Sequence, residues 1–281
     1  MIKKCVWCGK TGMMKLHARV RWEDLDSSWY RCATCASLMI LPRPSAKLIT
    51  KVYEDNYRKK RLQPHAQVDN RIRYSKEYRP TVFGEYEKSL EDLKINKSKI
   101  KSVLDFGCAD GIFLEFCRDY FDKKTDLVGT DLSNEMLADA RTNGFNVVAL
   151  NDLKNLNKQY DLITLWDVIE HVEEPEEIIT QLAKLLSKNG KIVIQTPRFG
   201  VLAELLGENW SHLLPVQHLS LASKEGMGKL AKRLRLTINK HTSFSANAPG
   251  SAVAQPYKSV FDQLAKRLDF GGVQLLSMTK R

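Results

Sequence analysis

Apolar positions along this 281-residue chain follow two rhythms. From residue 99 onward, short continuous apolar runs alternate with longer stretches in which apolar side chains return every three or four positions. The strand-like segments are Val103–Phe106, Asp126–Asp131, Phe145–Leu150, Tyr160–Trp166 and Lys191–Thr196, followed by the more polar Leu236–Phe244 and Val273–Lys280 as strands six and seven. Runs of this kind belong to strands buried on both faces, so the alternation predicts an α/β fold with helices covering a sheet. Ile112–Phe116 opens one covering helix. Pro175 sits at the first turn of another that runs to Lys188, with Asn189-Gly190 as its stop. A third spans about Pro256–Leu268. Two segments depart from the rhythm: Pro197–Ser220 concentrates Phe199, Trp210, His212, Pro215 and His218, and Ser245–Gln255 reads as a polar, mobile loop.

The first hundred residues are organised differently. Cys5-x-x-Cys8 and Cys32-x-x-Cys35 form two thiol knuckles with 23 residues between them, and Leu16–Trp22 and Trp29–Arg31 supply strand-like pieces. Four thiolates saturate a tetrahedral Zn²⁺, so the doubled spacing predicts a structural zinc ribbon in preference to a redox pair or free cysteines. Leu41-Pro-Arg-Pro-Ser45 is an extended connector, because proline cannot continue a helix. Ser45–Tyr57 then reads as a helix with Ser45 as its N-cap. Residues 66–96 read as charged helix punctuated by Pro80 and lying across the cleft as a lid. The expected partition is a zinc-binding module (1–45), a helical linker or lid (46–98) and a cofactor domain (99–281) with an insertion at about 197–220.

Charge sharpens this partition. The net charge is +11, and all of the excess lies in residues 1–100, which hold 22 basic against 11 acidic groups. Such a field steers anionic small molecules or polyanions. No apolar stretch is long enough to span a bilayer, which predicts a soluble, cytoplasmic protein without a membrane partner, its six cysteines being thiols or metal ligands.

The strongest chemical signal is Val103-Leu-Asp-Phe-Gly-Cys-Ala-Asp-Gly111, an apolar strand that runs into a glycine turn and then a helix. Gly107 and Gly111 let the backbone turn sharply and approach a ligand, while the free amides of the helix start face the same place. The pattern is D-x-G-x-x-x-G rather than the dinucleotide G-x-G-x-x-G. Asp105 would repel a pyrophosphate but suits the ammonium group of S-adenosylmethionine.

With these residues the chain resembles the class I S-adenosylmethionine-dependent methyltransferases over roughly residues 80–281. Asp167-Val-Ile-Glu-His171-Val is similar to the branch that contains ubiquinone O-methyltransferases. The resemblance implies a Rossmann-like seven-stranded sheet with helices on both faces and an antiparallel last strand. Asp131, 20 residues after Gly111, would then accept the ribose hydroxyls, and Asn151 and Asp152 would lie beside the adenine. Further cofactor contacts would come from Cys108, Ala109, Asp110, Leu132 and Trp166. The 197–220 insertion would roof the acceptor pocket. His171 is the first candidate for base or substrate contact, with His212 and His218 as further candidates. Asp167-x-x-Glu170-His171 also resembles a constellation that binds a divalent ion in some ubiquinone O-methyltransferases, while the acids at 173, 174, 176 and 177 are accounted for by the N-terminus of a helix.

The knuckles, the Pro-x-Pro connector and the Tyr53–Tyr57 segment are similar to zinc-containing methyltransferases of sugar and small-metabolite pathways. The leading expectation is therefore methyl transfer to a small anionic or nucleotide-activated metabolite. Two alternatives stand beside it. Zinc-containing rRNA methyltransferases share the two-part layout, although with a histidine among the ligands, and a non-catalytic binding protein could keep the fold.

Overall fold

The computed structural model describes residues 1–22, 25–51, 75, 77–244 and 257–281. Its N-terminal strands are β1 (Ile2–Lys4), β2 (Thr11–Trp22), β3 (Leu25–Cys32) and β4 (Leu38–Leu41). They pair antiparallel in chain order. The apolar runs of the remaining chain form β5 (Ser102–Phe106), β6 (Asp126–Asp131), β7 (Asn146–Ala149), β8 (Tyr160–Trp166) and β9 (Leu186–Pro197). Next come the two-residue β10 (Ser220–Leu221), β11 (Leu236–Phe244) and β12 (Val273–Lys280).

The large sheet has the order β11-β12-β9-β8-β5-β6-β7. Strands β5 to β9 run parallel, and β12 lies antiparallel to both of its neighbours. This is the expected Rossmann-like seven-stranded arrangement. The chain leaves β5 towards β6 on one side and returns to β8 on the other. The carboxyl end of β5 is thus a switch point, where open α/β sheets form their ligand crevice.

Seven helices are labelled in the described residues: α1 (Arg79–Asp92), α2 (Ile112–Tyr120), α3 (Asn134–Thr142), α4 (Pro175–Lys184), α5 (Val201–Leu206), α6 (Lys224–Arg233) and α7 (Tyr257–Leu268). Alternation along the strands decides which layer each residue meets. Val103, Leu162, Val193 and Leu275 pack with Val82, Tyr86 and Leu90 of α1 and Phe113 and Phe116 of α2. Their neighbours Leu104, Ile163, Ile194 and Leu276 share the opposite core with Ile179 and Leu182 of α4 and Met227 and Leu230 of α6. No helix among the described residues is long and apolar enough to cross a membrane.

Three local readings change. The helix from Pro175 ends at Lys184, and Asn189-Gly190 lies inside β9 instead of stopping it. A Cβ on Gly190 would stand 2.6 Å from the Tyr160 carbonyl oxygen, so this glycine serves a close strand approach. Pro80 occupies the first turn of α1, where a missing amide costs nothing. The lid is described only in part: α1 is built into the core on α2, and residues 66–74 and 76 lie outside the described residues, as do 52–57 of the expected helix and the whole loop 245–255. Residues 46–51 are helical, and Ser45 Oγ accepts the Leu48 amide at 3.2 Å, as an N-cap should.

The fifth strand of the N-terminal sheet comes from far along the chain. β10 pairs antiparallel with β4, Ser220 opposite Met39 and Leu221 opposite Leu38. On one side of this sheet Trp29, Leu38 and Ile40 pack with Phe199, Ala203, Trp210, Leu213 and Leu221 of the expected roof. On the other, Trp7, Cys8, Cys35 and Met39 join the core of α6.

Candidate functional site

The glycine loop sits at the switch point with its turns enforced sterically. Gly107 has φ +83°, and a Cβ there would lie 2.4 Å from Val168 Cγ2. Gly111 has φ +90°, with Phe145 Cδ2 at 2.5 Å. Both positions need glycine, for conformation and for space. The Gly107 and Cys108 amides donate to the Thr130 carbonyl at 2.7 and 3.0 Å, which ties the loop to β6. Cys108 turns its side chain into the core with Leu114 and Leu137, so only its backbone belongs to the loop.

Asp131 closes β6 with both oxygens engaged. Oδ2 accepts the Ala109 amide at 3.0 Å and Oδ1 the Ser133 amide at 2.8 Å. Burial raises its pKa. Asp105 is fully buried in β5, accepts the Thr164 hydroxyl at 2.7 Å, and is pushed up to about 7 by burial, with the Asp131 charge adding to the shift.

Asp110 faces the other way. Arg79, the first residue of α1, reaches it at 3.1 Å and also contacts Glu115. Leu132 is exposed beside Asp131, and Asn151 and Asp152 are exposed on a 3-10 turn after β7. Trp166 stands apart from these: its ring packs 4.9 Å from Tyr86 and 5.1 Å from Phe113 in the aromatic core beneath α1 and α2. Sequence reasoning missed Arg79 and Thr164. The signal for Thr164 was a lone hydroxyl in the otherwise apolar end of β8.

The three candidate histidines come together. His171 ends a 3-10 turn directly after β8, in the same loop as the Val168 that touches Gly107. Its Nδ1 lies 2.8 Å from the Gln217 carbonyl oxygen. A carbonyl only accepts, so Nδ1 donates to it, and the ring also hydrogen-bonds to the Asp167 backbone. Glu170 Oε1 stands 3.9 Å from His171 Nε2, and Glu170 Oε2 accepts the Thr196 hydroxyl at 2.9 Å. His218 repeats the device, with Nδ1 on the His212 carbonyl at 2.7 Å. The rings of His171 and His218 are 4.9 Å apart and those of His212 and His218 6.0 Å. Burial lowers all three pKa values, His212 to about 4. The imidazoles are therefore neutral at pH 7.

Donor atoms of Glu170, His171 and His218 lie within 4.8 Å of one another, a set able to hold a cation. Asp167 is not in this group. Its backbone takes φ +54° and its carboxylate accepts from Gln195 at 3.0 Å, so His218 replaces it in the converging set.

The four knuckle cysteines are buried, and their sulfurs also lie within 4.8 Å of one another. Cys5 to Cys35 is 3.7 Å and Cys8 to Cys32 is 3.8 Å. Four sulfurs about 2.3 Å from a tetrahedral zinc stand about 3.8 Å apart, so the cage has the right size. Within the Cys5–Cys35 pair the Cys35 thiol is held down to about 5 by the hydrogen bond from Cys5, and Cys5 is correspondingly raised. The Thr34 amide faces Cys32 Sγ at 3.4 Å.

Comparison with known proteins agrees with this geometry. A family model described as a methyltransferase domain matches residues 76–240. The ubiquinone biosynthesis O-methyltransferase of Idiomarina loihiensis is 29% identical over 116 residues, which are 38% of this chain and 46% of that protein. The chain thus spans less than half the length of that curated relative. A SAM-dependent methyltransferase from Archaeoglobus fulgidus superimposes with a TM-score of 0.52 at 20% identity, over 82% of this chain and 99% of that one. The magnesium protoporphyrin IX methyltransferase of Synechocystis, solved with bound SAH, gives 0.53 at 17% identity, over 84% and 100%. These two share the fold. With its model matched across more than half of the sequence, the glycine loop and the seven strands in order, the chain belongs to the methyltransferase domain family.

Proposed function

We propose that the chain transfers a methyl group from S-adenosylmethionine to a hydroxyl of a small anionic or nucleotide-activated metabolite. The observation that carries this reading is His171, which the Gln217 carbonyl holds beside the buried Glu170 in the loop packed on Gly107. When bound, the cofactor supplies an electrophilic methyl on a sulfonium. The protein has to orient the acceptor, exclude water and remove one proton. Asp131 would hold the ribose side, and Asp105 the ammonium. His171 would take the hydroxyl proton, and the imidazolium so formed gains the Glu170 carboxylate as neighbour.

Support for oxygen as the acceptor comes from the relative named above, an O-methyltransferase. The basic excess of the first hundred residues fits an anionic acceptor. Incubation of the protein with labelled S-adenosylmethionine and separate pools of nucleotide-sugars, phenolic acids and total RNA tests the reading. Label should enter a small-molecule pool, and exclusive labelling of RNA would replace this proposal.

Two expectations accompany it. Since an ammonium ligand favours ionised Asp105, cofactor binding should release a proton below pH about 7. Affinity for S-adenosylhomocysteine should then rise between pH 5.5 and 7, by up to roughly tenfold per unit. Calorimetry in two buffers of different ionisation enthalpy reads the proton directly, and Asp105→Asn should abolish the dependence. PH-independent binding would remove Asp105 from the ammonium site.

The four cysteines are assigned to one structural Zn²⁺, which they saturate without an open position. Elemental analysis should give about one zinc per chain, lowered by Cys32→Ser with retention of cofactor affinity. Metal-free protein with an undisturbed N-terminal sheet would refute the assignment.

A further inference from the structure

Arg198 stands directly after β9, at the carboxyl edge of the large sheet and two residues beyond Thr196, whose hydroxyl donates to the buried Glu170 carboxylate at 2.9 Å. Its amide donates to the Gly272 carbonyl at 2.7 Å, and the next amide, on Phe199, donates to the Ala222 carbonyl at 3.0 Å. The backbone is thus tied on both sides. The side chain is only 9% exposed.

A guanidinium buried to that degree ordinarily has its donors matched, because an unmatched donor on a charged group is costly. Arg198 departs from this. Nη1 donates to Asp269 Oδ1, yet Nε is buried without a hydrogen-bond partner among the described residues. Asp269 is already shared: its Oδ2 takes Lys224 Nζ at 2.5 Å, and Oδ1 also accepts the Ser243 hydroxyl at 3.0 Å. Two cations on one carboxylate leave this group of three with one net positive charge. A Cβ on Gly200 would come to 3.4 Å from Nε and 3.8 Å from Nη2, so that side of the fork borders backbone that carries no side chain. Gly200 has an extended φ of −168°, which any residue adopts. Its missing side chain therefore matters here as space.

We propose that the Nε–Nη2 edge of Arg198 anchors the anionic group of the methyl acceptor, a carboxylate or a phosphate. Two N–H groups in a planar fork match two oxygens of either group, and Asp269 holds the far side of the fork so that the edge is oriented before the ligand arrives. Lysine could not present such an edge. Two residues of strand span about 7 Å, which sets the anchor at that distance along the crevice from Thr196 and the loop of Glu170 and His171. The acceptor is then a molecule of about one substituted six-membered ring, with its hydroxyl at His171 and its charge at Arg198. The hydroxyl end of this inference rests on the methyl-transfer reading, whereas the anionic end rests on Arg198 alone.

Calorimetry on the full chain, with and without saturating S-adenosylhomocysteine, tests the anchor. The probes are glucose 1-phosphate as phosphate carrier and 3-hydroxybenzoate as carboxylate carrier, each beside its neutral relative, glucose and phenol. At least one anionic probe should bind tenfold or more tightly than its neutral relative, and which of the two does so assigns the group. Arg198→Lys keeps a cation for Asp269 but lacks the edge, so it should weaken that probe about tenfold or more while S-adenosylhomocysteine affinity stays within about twofold. Gly200→Ala leaves the guanidinium and Asp269 in place and gives a second reading, since a methyl beside the edge should weaken the same probe. Unchanged probe affinity in either variant, or no binding of either anionic probe to the wild type, overturns the proposal. Probe binding through Arg198 without methyl transfer to any pool would instead retire the methyl-transfer reading and leave the anchor standing.

Discussion

His171→Ala should lower kcat by about 10²-fold or more with little change in cofactor affinity, the scale of a lost general base. The imidazole is held by the Gln217 carbonyl and stands beside a buried carboxylate that would steady its protonated form. The wild-type rate should fall on the acid side, with its limb below pH about 6.5, because burial lowers the His171 pKa. Stability should follow the same direction. His171, His212 and His218 are neutral in the folded chain and take up protons in the unfolded chain below about 6.5. The stabilisation from keeping them neutral is present above that pH and declines as pH falls towards their folded values, by up to about 1.4 kcal/mol per unit for each. Steady-state rates and denaturant titrations across pH 5 to 8 check both. A wild-type rate in the His171 variant would transfer the role to His218 or His212.

Asp131→Ala should weaken S-adenosylhomocysteine binding by roughly 1.5 to 3 kcal/mol, about ten- to 150-fold. The upper end is expected. The carboxylate is aligned by two amides, and its removal also releases the Ala109 amide that holds the glycine loop against β6. Asp131→Asn keeps an acceptor for one amide and should cost less. Calorimetry measures both, and an affinity equal to that of the wild type would remove Asp131 from the ribose.

The parts of the molecule that could be read in advance are those whose cause is local. A strand buried on both faces is largely apolar, and a glycine turn at a strand end has few other purposes, so the central strands, Gly107, Gly111 and Asp131 were visible as pattern, while the half-exposed edge strand Leu236–Phe244 was readable only from its place in the alternation. The cluster of four cysteines was visible because its two knuckles have the spacing that a metal would demand. What escaped has non-local causes. Gly190 resembled a helix stop, yet its reason is the Tyr160 carbonyl pressing on it from the neighbouring strand. β10 has two residues and no periodicity, and its partner lies about 180 positions earlier in the chain. Arg79 was one cation among many until the fold carried it to Asp110. His218 took the place beside Glu170 and His171 that the local Asp167-x-x-Glu-His spacing would have given to Asp167, because a residue at positive φ turned that side chain away.

The antiparallel insertion of β12 between β9 and β11 has a consequence for synthesis. During translation β11 emerges with its inner edge unpaired, and β9, although already beside β8, exposes its other edge until Val273–Lys280 arrives. Unpaired edges of this kind attract other chains. Nascent or shortened chains that stop before Val273 should therefore accumulate as aggregates or chaperone-bound species, and not as a smaller soluble domain, even though every residue of the glycine loop and the histidine cluster has been made.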